Sequence, residues 1–243
     1  MGKLVGSDID KTLPSGPWEF DENVTQVFDN MLERSIPGYQ DMRSLTTALA
    51  TKYAIPNTAI VDLGCSRGGS LIPIIESIGM DYKFIGVEIS EAMRLACVSA
   101  LQKYTNLDFE VLDLDLRDDY PVGSASVVLS ILTIQFVPIE YRQEILARAY
   151  SSLVPGGAII LVEKILGFDA HINRTFVDLY YSIKGENGYT EEQINTKRKS
   201  LEGVLVPVTA AWNEQLLQES GFKHVDCFWR NLNFAGWVGI KES

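Results

Sequence analysis

The chain has 243 residues, 46% hydrophobic and 22% charged, which is enough apolar material for one large domain with a sizeable core. Its formal net charge of −11 argues against a general nucleic-acid binder, which would carry a basic face. No apolar run approaches the roughly 18 residues of a membrane helix. Three scattered cysteines, Cys65, Cys97 and Cys227, show no metal-ligand spacing. With a polar Met1–Gly16 that lacks an apolar signal core, they predict a reduced, cytoplasmic protein without a metal.

In chain order, residues 1–16 read as a flexible N-terminus and 17–243 as a single domain. Apolar residues at Val24, Val27, Phe28, Met31 and Leu32 predict a helix over 23–34, broken by Pro37-Gly38-Tyr39. A second helix spans about 40–52. These two precede the first strand and make residues 17–56 a candidate helical lid. Ala59–Asp62 predicts a buried strand, followed by Leu63-Gly64-Cys65-Ser66-Arg67-Gly68-Gly69 and an apolar helix from Leu71. Strands at Phe84–Val87 and Phe109–Leu112 follow, with a helix capped by Ser90 between them. Ala125–Ile134 is apolar enough to be a central strand buried on both faces. A helix over 139–153 is stopped by Pro155-Gly156-Gly157, and Ala158–Val162 is a fifth strand. Residues 167–206 predict a helical insertion, with Thr190 and Gln193 at capping-box spacing. A helix over 210–220 and two tightly joined strands, 224–231 and 233–241, close the chain. The order predicts an α/β, Rossmann-like, mostly parallel seven-stranded sheet with an antiparallel C-terminal hairpin.

Asp62-x-Gly64-x-x-x-Gly68 departs from the dinucleotide fingerprint and has no Walker lysine. Gly64 lets the chain turn sharply, and Gly68 lets a ligand lie close to the backbone. Glu88 at the tip of the second strand is placed to hold ribose hydroxyls. Asp113 or Asp115, after the third, could meet an adenine amine. Three acid-tipped strands in this order point to a nucleoside site and resemble the class I S-adenosylmethionine (SAM)-dependent methyltransferase fold. Cys65 reads as a small turn residue, because His171 and His224 are the only histidines that could activate it. Lys197 and Lys199 read as a solvated helix face, and Arg198 as an inward carboxylate clamp.

Several stretches outside that shared core are more specific. Trp18-Glu19-Phe20-Asp21-Glu22-Asn23-Val24, Arg34-Ser35-Ile36-Pro37-Gly38-Tyr39, Thr133-Ile134-Gln135-Phe136, Glu163-Lys164, Asn187-Gly188-Tyr189 and Leu201-Glu202-Gly203-Val204-Leu205 resemble the carboxy-S-adenosylmethionine synthase family. The resemblance covers nearly the whole chain from Trp18. It implies conversion of SAM and prephenate to carboxy-S-adenosylmethionine and phenylpyruvate, with SAM or its carboxylated form bound and no metal. It implies a homodimer, and a downstream carboxymethyltransferase that uses the product on tRNA wobble uridine or a natural product. This protein itself would contact neither nucleic acid nor membrane. By position, the ligand contacts implied are Tyr39, Gly64, Cys65, Ser66, Glu88, Ile89, Asp115, Leu116, Ile131 and Arg198, with Arg198 and Tyr39 closest to the chemistry.

The chain departs from the family pattern at Glu88, where the family has Asp, and at Ile131, where it has Asn beside what is here Ser130. Arg67 is bulkier than the turn needs. These differences suggest a divergent member. The runner-up reading is a SAM-dependent small-molecule methyltransferase in which Arg198 clamps the acceptor's carboxylate. A third is a ligand-binding regulatory subunit, against which stand the retained Tyr39, Glu88 and Arg198.

Overall fold

Five strands run parallel in the computed structural model, which describes residues 13–121 and 123–242. They are β1 (Ala59–Leu63), β2 (Lys83–Val87), β3 (Asp108–Leu112), β4 (Ala125–Ile131) and β5 (Leu153–Leu166). Most of the expected loose N-terminus, residues 1–12, lies outside the described residues. β7 (His224–Asn231) and β8 (Phe234–Ile240) form the expected hairpin, with β8 antiparallel to β5 and β7. The sheet order is β3-β2-β1-β4-β5-β8-β7. The expected seven strands are all there, and an eighth, β6 (Val208–Thr209), adds two residues parallel to the end of β5.

The helices are α1 (Glu22–Ser35), α2 (Tyr39–Tyr53), α3 (Leu71–Ile78), α4 (Glu91–Leu101), α5 (Ile139–Ser152), α6 (Ala170–Glu186), α7 (Glu191–Ser200) and α8 (Ala210–Glu219). Side chains of Asp21, Ser90, Asp169, Thr190 and Thr209 cap α1, α4, α6, α7 and α8, each satisfying a first-turn N–H. The Thr190–Gln193 capping box forms as the spacing predicts. β1 and residues 125–130 of β4 are buried on both faces, as expected for central parallel strands.

Two expectations shift. Pro155-Gly156-Gly157 lies within β5, because the strand begins directly at the end of α5 and its pairing with β4 is irregular there. The helical segment before β1 is less of a lid than its position suggests. Met42 and Ala50 of α2 are fully buried in the sheet-facing core, so α2 belongs to the layers on the sheet. Trp18, Phe20, α1 and the start of α2 as far as Arg43 border the open end. α1 is tied there to the 167–206 insertion: Arg34 Nε donates to the carbonyl of Asn187 (2.8 Å), and Asn187 Nδ2 donates to that of Arg34 (3.0 Å). The Trp18 amide also donates to the Ser200 carbonyl (2.8 Å).

A buried acid holds the chain after β4. Leu132 takes a left-handed conformation (φ 61°), and the backbone N–H groups of Ile134 (2.9 Å) and Gln135 (3.0 Å) donate to the two oxygens of Glu163. Burial raises the Glu163 carboxyl from its ordinary 4.5 to about 8, against the opposing pull of those N–H groups and Arg142. A carboxyl raised on folding contributes stability that is fully present below the unfolded value and is lost as pH rises through the folded one. Stability should therefore fall between about pH 4.5 and about pH 8. In Glu163→Gln this fall should flatten in urea titrations, because the titrating group is gone. The amide would also point a donor at one backbone donor and cost about 1–3 kcal/mol at low pH.

Candidate active site

The strand order reverses between β1 and β4, and the crevice at their carboxyl ends is where open α/β sheets bind ligands. A cavity of about 470 Å³ lies there. Its floor is the turn after β1. Gly64 has φ 81°, and a Cβ on it would run into the Thr133 side chain. The amides of Gly64 and Cys65 both donate to the Val87 carbonyl at 2.9 Å, fastening the turn to β2. Ser66 is left-handed without being glycine (φ 46°), a conformation that persists only where the surroundings enforce it. Glu88 enforces it: one carboxylate oxygen accepts from the Ser66 amide (3.0 Å) and the other from Ser90 (2.9 Å). Burial raises the Glu88 carboxyl, and these two amides oppose the rise. Asp62 beneath the turn is 1% exposed, and burial raises it to about 7 despite Arg43 nearby.

Cys65 packs on Gly86, where an added Cβ would come within 2.6 Å of its sulfur. Its Sγ lies 3.8 Å from that of Cys97. The bond to Cys97 and burial push its thiol well up, so it is packing material and not a nucleophile. Gly68 does not face the ligand as expected. An added Cβ there would approach Cys97, and Gly64 and Gly69 are the glycines of the turn that line the cavity.

One wall comes from the tips of β2 and β3. Ile89, Asp115 and Leu116 line it. Asp113 turns outward to Arg94 (3.1 Å). Asp115 is gripped by Arg117, both of its oxygens lying 3.0 Å from Nε, and this pairing lowers its carboxyl. Ile131 closes the cavity at the tip of β4. Ser130 beside it is fully buried and off the cavity, with no hydrogen-bond partner for its hydroxyl among the described residues, so it makes no contact that Ile131 lacks.

The opposite wall comes from the segments outside the core fold. Tyr39 is buried at the first turn of α2, and its hydroxyl accepts from Arg43 (3.3 Å), one turn on. Arg43 also donates to the Gly69 carbonyl. Sequence reasoning missed Arg43, although its i+4 spacing from Tyr39 was the available signal. It also misread which residue of α7 turns inward within the subunit, which leaves aside a role for Arg198 across a dimer. Lys197 is 3% exposed and lines the cavity, whereas Arg198 lies outside and pairs with Glu202 (2.7 Å) on the exposed face. The buried face of α7 is Ile194, Lys197 and Ser200, one residue out of phase with the expected clamp. Lys164 and Lys184 line the same wall and were likewise missed. The cavity thus gathers Tyr39, Gly64, Cys65, Ser66, Glu88, Ile89, Asp115, Leu116 and Ile131, but not Arg198.

Comparison with known proteins agrees with this geometry. A family model described as "Methyltransferase domain" matches residues 60–157. Human N-acetylserotonin methyltransferase, solved with SAM, shares the fold at TM-score 0.62 and 16% identity, over 91% of this chain and 56% of that one. An O-methyltransferase family protein from Burkholderia thailandensis does so at TM-score 0.66 and 16% identity, over 92% and 61%. The chain therefore has the class I SAM-dependent methyltransferase fold and spans somewhat over half the length of those two structures. Carboxy-S-adenosyl-L-methionine synthase of Methylococcus capsulatus is 39% identical over 224 residues, 91% of this chain and 93% of that protein. The Klebsiella pneumoniae protein of the same name is 36% identical over 228 residues, 93% and 92%. Because these matches exceed 30% identity over more than nine tenths of both chains, the chain belongs to the carboxy-S-adenosyl-L-methionine synthase family.

Proposed function

We propose that the protein is a carboxy-S-adenosyl-L-methionine synthase: it takes SAM and prephenate and gives carboxy-S-adenosylmethionine, phenylpyruvate and water. The observation that carries this reading is the 39% identity to a synthase over 91% of this chain and 93% of that protein. The residues suit an adenosyl group: Gly64 has no room for a side chain and Ser66 is held left-handed beside it, Glu88 keeps acceptor capacity for ribose hydroxyls, and Leu116 gives an adenine an apolar surface. When bound, SAM supplies a methyl group acidified by the adjacent sulfonium. The protein's own work is to hold the two reactants together and exclude water. The apolar wall of Trp18, Met31 and Leu32 does the excluding, and Tyr39 with Arg43 closes the cavity above the turn.

The reading extends to a homodimer in the cytoplasm, whose product is consumed by a carboxymethyltransferase acting on tRNA wobble uridine or on a natural product. Arg198, facing out of the subunit, is then available to the dimer surface. Denaturing the purified protein and weighing the released small molecule tests the proposal. SAM plus one carbon dioxide is the expected mass, with phenylpyruvate appearing when prephenate and SAM are added. Plain SAM, unchanged by prephenate, would favour the small-molecule methyltransferase reading.

A further inference from the structure

The seams that join α1 to its neighbours around the cavity differ in kind. Against α4, Trp18, Val24 and Met31 pack with the fully buried Met93. Ser90 Oγ fastens the chain just before α1 by donating to the Phe20 carbonyl at 2.6 Å. Against the 167–206 insertion, α1 is held by the two bonds between Arg34 and Asn187. Against the turn after β1 the closure is an ion pair. Arg67 Nη1 lies 3.0 Å from Asp29 Oδ2, and the two side chains are 33% and 66% exposed. Both residues also line the cavity.

The turn does not itself call for an arginine. Ser66 beside it is fixed by Glu88, so the long Arg67 side chain is left to reach across to α1. The pair joins residues 38 positions apart, one on α1 and one on the cavity floor. By contrast, the Arg117–Asp115 pair on the lining stays within one loop and crosses no seam. The seam between α2 and the turn is closed by the half-buried Arg43, which donates to the Gly69 carbonyl. An exposed ion pair is weakly held, competes with water and loosens as salt screens it. The α1 seam at Arg67 is therefore the one that parts most readily. Because α1 borders the open end, its distance from the turn sets how wide that end opens.

We propose that the Arg67–Asp29 ion pair is a salt-sensitive latch: it holds α1 against the turn, and its rupture lets α1 draw back for a SAM-type ligand to enter or leave. Both partners belong to the protein, so the latch closes over an empty or a filled cavity alike. Breaking it speeds entry and exit together and leaves affinity nearly unchanged. That separates a latch from a ligand contact, whose loss raises the exit rate alone. The inference requires a SAM-type ligand in the cavity but not the synthase reaction, so it holds under the methyltransferase reading as well.

The test is surface plasmon resonance of S-adenosylhomocysteine over the immobilised full-length protein. This ligand has no net charge at neutral pH, so added salt acts on the protein and not on long-range attraction. The variants are Arg67→Met, which keeps the apolar stem, Asp29→Asn, the two combined, and the reversed pair Arg67→Asp with Asp29→Arg. Each single variant should raise both the association and the dissociation rate about two- to fivefold, the range for an exposed ion pair. The dissociation constant should stay within about twofold. The combined Met and Asn variant should match the singles, and the reversed pair should recover wild-type rates. Raising salt from about 0.05 to about 0.5 M should speed the wild type towards the variants and leave the single variants where they are. Unchanged rates in the single variants would overturn the latch. So would additive effects in the combined variant, a salt response that the variants share, or an affinity loss carried by the dissociation rate alone. A wild type that binds no S-adenosylhomocysteine would overturn the latch together with the cofactor site. A wild type that shows the expected rates but makes no carboxy-S-adenosylmethionine keeps the latch and loses the synthase reading.

Discussion

Glu88→Ala should raise the dissociation constant for SAM by about a hundredfold or more. Two contributions add. Hydrogen bonds from ligand hydroxyls to a charged acceptor are worth about 1.5–3 kcal/mol each, and a nucleoside ribose offers two. The second contribution precedes binding. Glu88 holds the Ser66 amide (3.0 Å) and the Ser90 amide (2.9 Å), so it keeps the left-handed Ser66 in place before any ligand arrives. Without it the turn must be ordered by the ligand, which lowers affinity further. Glu88→Gln tests the second contribution separately. It keeps the length of the arm but presents an amide donor to one of two backbone donors, so it should fall close to Glu88→Ala. Glu88→Asp, which keeps the acid on a shorter arm, should bind within about tenfold of wild type. Calorimetry with SAM or S-adenosylhomocysteine decides the matter. A Glu88→Ala protein that binds like the wild type would show that the carboxylate is only a loop fastener whose absence the ligand tolerates.

The other large effect is expected at Gly64→Ala. The position needs φ 81°, and the new methyl group would enter the Thr133 side chain. A left-handed conformation costs a non-glycine residue about 1–2 kcal/mol, and forcing a methyl into a packed site costs about 1–3 kcal/mol more. Urea unfolding should thus show a loss of about 2–5 kcal/mol, a large share of the total stability of such a domain. Ligand binding should fail as well, because Thr133 and the turn are neighbouring parts of the cavity floor. Adding Thr133→Ala separates the causes. The double variant should recover the steric share and retain the backbone share, giving a non-additive cycle. Additive losses would place the clash elsewhere, and an undiminished Gly64→Ala would remove the argument for this glycine.

Much of this site was legible in the sequence because each core feature carries its own local signal. A buried strand ending at Asp62, a glycine turn and an acid after the next strand can be read without knowing the rest of the chain. The caps at Ser90 and Thr190 are similarly local. The second wall was harder to read. α7 has few apolar residues, and only Ile194 and Leu201 mark which way it faces, so a phase error of one residue exchanged Lys197 for Arg198. A lysine that turns inward looks, in sequence, like a lysine that turns out. The packing of α2 on the sheet was hidden for a related reason: its inward face includes Tyr39, Thr46 and Ala50, which do not announce a core position. β6 is two residues long and exists only through its pairing with β5, so no periodicity could reveal it.

The bonds that join Trp18 to Ser200 and Arg34 to Asn187 also set a schedule. Helices form from neighbours in sequence, but these closures bring together residues more than 150 positions apart, and such loops close slowly against chain entropy. During synthesis the first wall, from β1 to β4, can leave the ribosome and begin to pack while the residues that complete the cavity have yet to be made. The pocket becomes whole only once Phe234 of β8 is translated, so a chain stalled before α6 lacks the wall that carries Lys184 and Lys197.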